Sequence, residues 1–170
     1  MLVVGIDTAI RKTGYGILEM NQDGQIHILD CGLIKNSPSF PHSECLKRLS
    51  GGISQIVEQF HPNCAAIESA FVSKNIRTAM ILSLARGAVI AKLAELNVPV
   101  YEYSPKIGKR AVTGNGSADK QQVANVLSLM SNLNISQIPD DATDALSLAY
   151  CLANAMFHAK TGAIPLPPPI

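Results

Sequence analysis

The chain reads as an α/β domain with a mixed sheet and helices on both faces. Three observations predict this. Short apolar runs, partly β-branched, end abruptly at polar residues, as in Leu2-Val3-Val4-Gly5-Ile6-Asp7 and Cys64-Ala65-Ala66-Ile67-Glu68. Asn21-Gln22-Asp23-Gly24 joins two further strand-like segments as a hairpin. Longer segments with helical apolar spacing separate the later runs.

In order, residues 2–7 form a buried strand, 8–12 a turn, 15–20 a second strand and 25–34 its returning partner. A Ser/Pro-rich loop over 36–42 precedes a helix over 43–60, whose Leu46, Leu49, Ile53, Ile56, Val57 and Phe60 recur at helical spacing. His61-Pro62-Asn63 breaks that helix. A strand over 64–68, a helix over 76–96 and a strand over 99–103 follow, then a polar, basic, glycine-containing region read as a loop. Helices over 119–131 and 141–158 close the domain, taken as residues 1–158. The proline-rich residues 159–170 read as a flexible, extended tail.

A length of 170 residues suits one domain, and 47% apolar with 16% charged residues is an ordinary soluble composition. Asp7 interrupts the first apolar run, which argues against a secretory leader, and no uncharged stretch has membrane-spanning length. A cytoplasmic protein without membrane association is expected. Cys31, Cys45, Cys64 and Cys151 form no CxxC pair, so reduced core thiols are expected rather than a zinc site.

The net charge of +1 decides nothing, but its distribution does. Residues 71–110 carry seven bases and two acids, whereas 139–145 carry three acids and no base. A basic stretch beside an acidic centre suits an enzyme that holds phosphates with one and metals with the other.

Asp7 and Glu68 both end apolar strands, and in open α/β sheets ligands bind at such strand ends. Two neighbouring carboxylates repel unless a cation lies between them. Near the last helix, Asp141 and Asp144 are three residues apart and Asp140 and Asp144 four apart; both spacings share a helix face, so spacing alone leaves the partner open. Asp140 could equally cap the helix and Asp141 complement its dipole. Asp144 lies level with Ala145, Leu148 and Cys151 on the side expected to be buried, which neither role explains. Oxygen-only ligands suit Mg²⁺ or Mn²⁺, the ions of metal-assisted phosphodiester cleavage.

Thr13-Gly14-Tyr15-Gly16 would let the backbone pass close to a phosphate or make a tight turn. Phe71, among small and polar neighbours, is balanced between a core aromatic and a platform for an unpaired base. Lys106, Lys109, Arg110 and Lys120 lie near glycines and, as a group, favour phosphate contact. The helix over 76–96 is apolar almost all round, which predicts burial by the sheet on one side and a second subunit on the other.

Together these residues resemble the RuvC family of crossover-junction endodeoxyribonucleases over about residues 2–158. The resemblance rests on Gly5-Ile6-Asp7, Thr13-Gly14-Tyr15-Gly16, Ile67-Glu68 with Phe71, Lys74 and Asn75, Ala85-Arg86-Gly87, Tyr101-Glu102-Tyr103, Gly116-Ser117-Ala118 with Lys120, and Asp141-Ala142-Thr143-Asp144-Ala145. It implies a ribonuclease-H-like fold and a homodimeric nuclease that resolves four-way DNA junctions by paired nicks. It selects Asp141 over Asp140 and implies two Mg²⁺ per subunit, with Mn²⁺ as substitute, held by Asp7, Glu68, Asp141 and Asp144. It also implies Phe71 as a wedge, Lys74, Lys109 and Lys120 as nucleic-acid contacts, and a branch-migration helicase complex as a further partner. One departure stands out: Thr8-Ala9 replaces the family's usual Pro-Gly after the first Asp. Two alternatives remain. An actin-like kinase or ATPase shares the strand–Asp–Gly hairpin but needs a second lobe that this length does not supply. A junction-binding protein without nuclease activity is the other, raised by Thr8-Ala9.

Overall fold

β1 (Leu2–Asp7) lies at the centre of a five-stranded sheet, in the computed structural model that describes residues 1–69, 75–131, 138–160, 162 and 166–170. β2 (Lys12–Met20) and β3 (Ile26–Lys35) continue from it as an antiparallel meander, while β4 (Cys64–Glu68) and β5 (Val100–Tyr103) add in parallel on its other side, giving the order β3-β2-β1-β4-β5.

Side-chain alternation divides the core into two layers. Val4 and Ile6 of β1 face α1 (His42–Phe60) and α2 (Ile76–Glu95), packing with Leu49, Ile53, Val89 and Leu93. Val3 faces the opposite layer, with Leu148, Ala149 and Leu152 of α5 (Asp140–Lys160). Asp7 and Glu68 continue the second alternation and therefore leave the sheet on the α5 side. α3 (Pro105–Thr113) and α4 (Lys120–Ser131) pack beside α5.

Two elements differ from the sequence reading by more than two residues or in kind. β2 begins at Lys12 rather than at residue 15, because the ladder to β3 extends through Thr13↔Ile34 to Lys12↔Lys35. The region after β5 is not a loop: it starts with the helix α3. Ser104 caps that helix by accepting from the Ile107 N–H at 3.3 Å, Pro105 occupies its first turn, and Gly114 closes it in a left-handed conformation. The next helix is capped by Asp119. Its side chain accepts from the Gln122 N–H at 2.8 Å, and Gln122 Oε1 accepts from the Asp119 N–H at 3.1 Å, a reciprocal capping box.

α2 buries only the stripe Ala85, Val89 and Leu93, and leaves Ile76, Met80 and Leu84 more than half exposed. All four cysteines are free thiols, three of them buried. Among the described residues, no helix is long and apolar enough to cross a membrane. Of the proline-rich tail, Leu166 packs against the α5-side core and the Ile170 N–H donates to the Val100 carbonyl at 2.9 Å.

Candidate active site

The parallel register of β1 and β4 aligns Ile6 with Ile67, so the next residues along, Asp7 and Glu68, end adjacent strands side by side. α5 supplies the other two acids, and the glycines explain how it comes close enough. A Cβ at Gly14 would lie 2.0 Å from the Asp141 carbonyl oxygen, and one at Gly5 would lie 1.9 Å from that of Ala145. At Gly16 it would meet the Leu146 side chain at 2.5 Å. Gly5 and Gly16 are cross-strand partners, and Gly14 pairs with Asp7. The Thr13-Gly14-Tyr15-Gly16 motif is therefore neither a phosphate cradle nor a tight turn. Within the ladder it forms the seat on which the first turns of α5 rest, with Asp141 and Asp144 carried to the end of β1.

The consequence is electrostatic crowding. The Asp7 carboxyl is pushed up to about 8 from its ordinary 3.8, first by burial, then by a hydrogen bond and charge repulsion from Glu68, and then by the charges of Asp144 and Asp141. Asp7, Glu68 and Asp144 line one small cavity of about 40 Å³, bordered by Pro105, Ser147 and Leu148. Asp7 and Glu68 also open onto a groove of about 310 Å³ that runs past Ala9, Ser69, Ser83 and Arg86.

Two lysines answer this negative charge. Lys120 Nζ lies 3.2 Å from Asp144 Oδ2 and 3.5 Å from Asp140 Oδ2. Burial lowers the proton affinity of Lys120, but its hydrogen bond to Asp144 and the charges of Asp144, Asp140 and Asp141 outweigh that, holding it above the ordinary lysine value. Lys12 Nζ lies 2.9 Å from Asp141 Oδ2. Among the described residues, no three His, Cys, Asp or Glu side chains already stand as a finished metal cage. The donor set nevertheless fits hard divalent cations: the candidate donor atoms are all carboxylate oxygens, and their mutual repulsion is what such a cation would relieve.

The loop after Asp7 is closed by its own polar contacts. Thr13 Oγ1 donates to the Ala9 carbonyl at 2.6 Å and accepts from the Ala9 N–H at 3.1 Å. The Arg11 guanidinium donates to the carbonyls of Ser37 and Phe40, and Asn36 donates to that of Ile10. Among the described residues, only His61 and Asn97 of the non-glycine positions have positive φ, so Thr8-Ala9 needs no glycine to make this turn.

Of the residues singled out in the sequence, Asp7, Glu68, Asp141, Asp144 and Lys120 come together. Lys109 lies half-buried on α3, with no ion pair to the acids among the described residues. Phe71 and Lys74 lie outside the described residues. Sequence reasoning assigned no role to Arg86 or Lys12. Arg86 donates to the Glu68 carbonyl at 3.2 Å and pairs with Glu102, tying the ends of β4 and β5 together at the groove wall. Its signal was present in Ala85-Arg86-Gly87. Lys12 had none, since its partner lies on a distant helix.

The sequence profile described as crossover junction endodeoxyribonuclease RuvC matches residues 3–152. The chain belongs to the RuvC family. The RuvC endonuclease of Chlorobaculum parvum is 42% identical over 151 residues, covering 89% of this chain and 80% of its own length. That of Chloroflexus aurantiacus is 39% identical over 153 residues, covering 90% of this chain and 93% of its own. Thermus thermophilus RuvC, solved in complex with a Holliday junction substrate, superposes with a TM-score of 0.87 at 29% identity, covering 100% of this chain and 99% of that one. The expected ribonuclease-H-like α/β architecture is borne out. RuvC nucleases are metal-dependent, which agrees with the chemistry of the donor set.

Proposed function

We propose that this RuvC endonuclease resolves four-way DNA junctions with Asp7, Glu68, Asp141 and Asp144 as ligands for two Mg²⁺ ions, Mn²⁺ being able to replace them. The observation that carries the assignment is the convergence of Asp7, Glu68 and Asp144 on one small cavity at the ends of β1 and β4, which crowds Asp7. Burial and three neighbouring acids raise its proton affinity far above that of a free carboxyl. Only cations or protons relieve such a cluster at neutral pH. Bound there, the metal ions would supply activation of the attacking water and stabilisation of the departing 3′-oxygen.

The chain's own groups do the rest. Asp7, Glu68 and Asp144 line the cleft at the ends of β1 and β4, and Asp141, paired with Lys12, borders it. Lys120, beside Asp144, is positioned to meet a phosphate oxygen of the cut strand. Arg86 holds the β4 end, and with it Glu68, against the wall of the groove. Lys109 would contact the backbone farther along, with Phe71 and Lys74 contacting the junction itself.

A homodimer is supported by α2, where Ile76, Met80 and Leu84 recur at four-residue spacing and expose an apolar stripe on the face away from the core. A two-fold pairing through this stripe would match the symmetry of a junction and give paired nicks.

The test is cleavage of a synthetic four-way junction, a linear duplex and an RNA–DNA hybrid, with and without Mg²⁺. Junction-selective, Mg²⁺-dependent cutting is expected, and Asp7→Asn or Asp144→Asn should abolish it while junction binding persists. Near-normal cutting by either variant in Mg²⁺ would overturn the ligand assignment.

A further inference from the structure

Lys12 opens β2, and its ammonium lies 2.9 Å from Asp141 Oδ2. That pairing distinguishes Asp141 from the other acids, although its charge is still felt at Asp7. Asp7, Glu68 and Asp144 line the small cavity, and Asp141 does not. The Asp141 backbone is set against Gly14, so the position of its carboxylate depends on side-chain rotation and on what holds it. What holds it is Lys12.

The β2–β3 ladder sharpens the point. Lys12 stands directly opposite Lys35, a like-charge pair that is unfavourable across an antiparallel ladder without an anion nearby. Asp141 is the anion that Lys12 takes. Asp141 thus has two alternative partners, the Lys12 ammonium and a cation shared with the remaining three acids.

We propose that Lys12 is a latch on Asp141 that competes with the divalent cation for this carboxylate. The proposal rests on Asp141 being a metal ligand. Lys12 occupies Oδ2 alone, so a cation approaching Asp141 competes with it for the carboxylate's charge and orientation, and occupation of the full four-carboxylate set weakens the Lys12–Asp141 pair. A DNA phosphate that engages Lys12 frees Asp141, so strand binding and metal binding reinforce one another through this lysine, as linkage requires. The Lys12 side chain is 49% exposed and that of Asp141 26%, so the pair is a weak one and its competition is correspondingly modest.

The test is Mn²⁺ binding to the full chain without DNA, followed by electron paramagnetic resonance, for the wild type and for Lys12→Met, Lys12→Arg, Lys35→Met and Asp141→Asn. Lys12→Met should lower the half-saturating Mn²⁺ concentration by about two- to five-fold, the range expected for an exposed ion pair. Lys12→Arg should stay near the wild type. Lys35→Met, which removes the same unit charge without touching Asp141, should change it less. Adding junction DNA should tighten Mn²⁺ binding in the wild type, and by less in Lys12→Met. The latch is refuted, with the ligand reading intact, if Asp141→Asn weakens Mn²⁺ binding but Lys12→Met leaves it unchanged or weaker. It is equally refuted if Lys35→Met matches Lys12→Met, because the effect is then a general field. Unchanged Mn²⁺ binding in Asp141→Asn would overturn the ligand reading and the latch together.

Discussion

Gly14→Ala adds one methyl group, yet it should cost most of the activity. The new Cβ would lie 2.0 Å from the Asp141 carbonyl oxygen and 2.3 Å from its carbonyl carbon, both backbone atoms with no rotamer to yield. Ordinary contact begins near 3.4 Å, so the start of α5 must retreat by about 1.4 Å. Overpacking of this kind costs about 1–3 kcal/mol. For a protein of this size that lowers Tm by roughly 2–12 °C. The same retreat carries Asp141 and Asp144 away from Asp7 and Glu68, and a misplacement of about 1 Å can reduce turnover by about 100-fold. The assay is single-turnover cleavage of a four-way junction in Mg²⁺, with thermal unfolding and junction binding measured on the same preparation. Gly51→Ala is the control: it lies within α1 with nothing inside 4 Å of the added Cβ, and it should gain about 0.5–1 kcal/mol with unaltered cleavage. If Gly14→Ala cut within a few-fold of the wild type at an unchanged Tm, the glycine seat would not be what sets the carboxylate geometry.

Asp7 predicts an unusual pH dependence of stability in chelator. Its folded-state value of about 8 lies above the ordinary 3.8, so between these the folded protein retains a proton that the unfolded chain has released. Stability therefore falls as pH rises from about 4 to 8. Asp7→Asn should flatten that slope and raise Tm at pH 8, and Mg²⁺ should stabilise the wild type more at pH 8 than at pH 5; parallel melting profiles for the two proteins would count against the crowding. Tyr103 carries a buried hydroxyl with no partner among the described residues, so Tyr103→Phe should stabilise by about 1 kcal/mol in denaturant unfolding. Met80 is 64% exposed on the apolar stripe of α2, and if the proposed homodimer forms through this stripe, Met80→Glu should shift it to monomer in sedimentation without loss of helical content. A variant that sediments like the wild type would remove α2 from the interface.

The acids themselves were legible in the sequence because a carboxylate closing an apolar strand conflicts with its surroundings. Asp7 and Glu68 show this with no reference to anything distant. Asp144 showed it from helix phase, as a charge on the side of α5 expected to be buried. Choosing Asp141 over Asp140 needed the family pattern, since both spacings fit one helix face. In the structure Asp140 is 69% exposed, whereas Asp141 is 26%. α3 was also within reach: Ser104-Pro105 and Gly114 punctuate it, but its basic residues read as a solvated loop. The start of β2 was hidden because Gly14 lowers strand propensity just before the predicted start at residue 15.

What local sequence determined, then, is which side chains could carry the chemistry and which elements bear them, because strand ends, helix phase and caps are short-range properties. What only the tertiary structure decided is where those side chains meet. The β1–β4 register sets Asp7 beside Glu68, three side-chain-free positions let α5 settle on β1 and β2, and Lys12 reaches Asp141 from the far side of the chain. Each depends on close packing between segments distant in sequence, which no short-range pattern records.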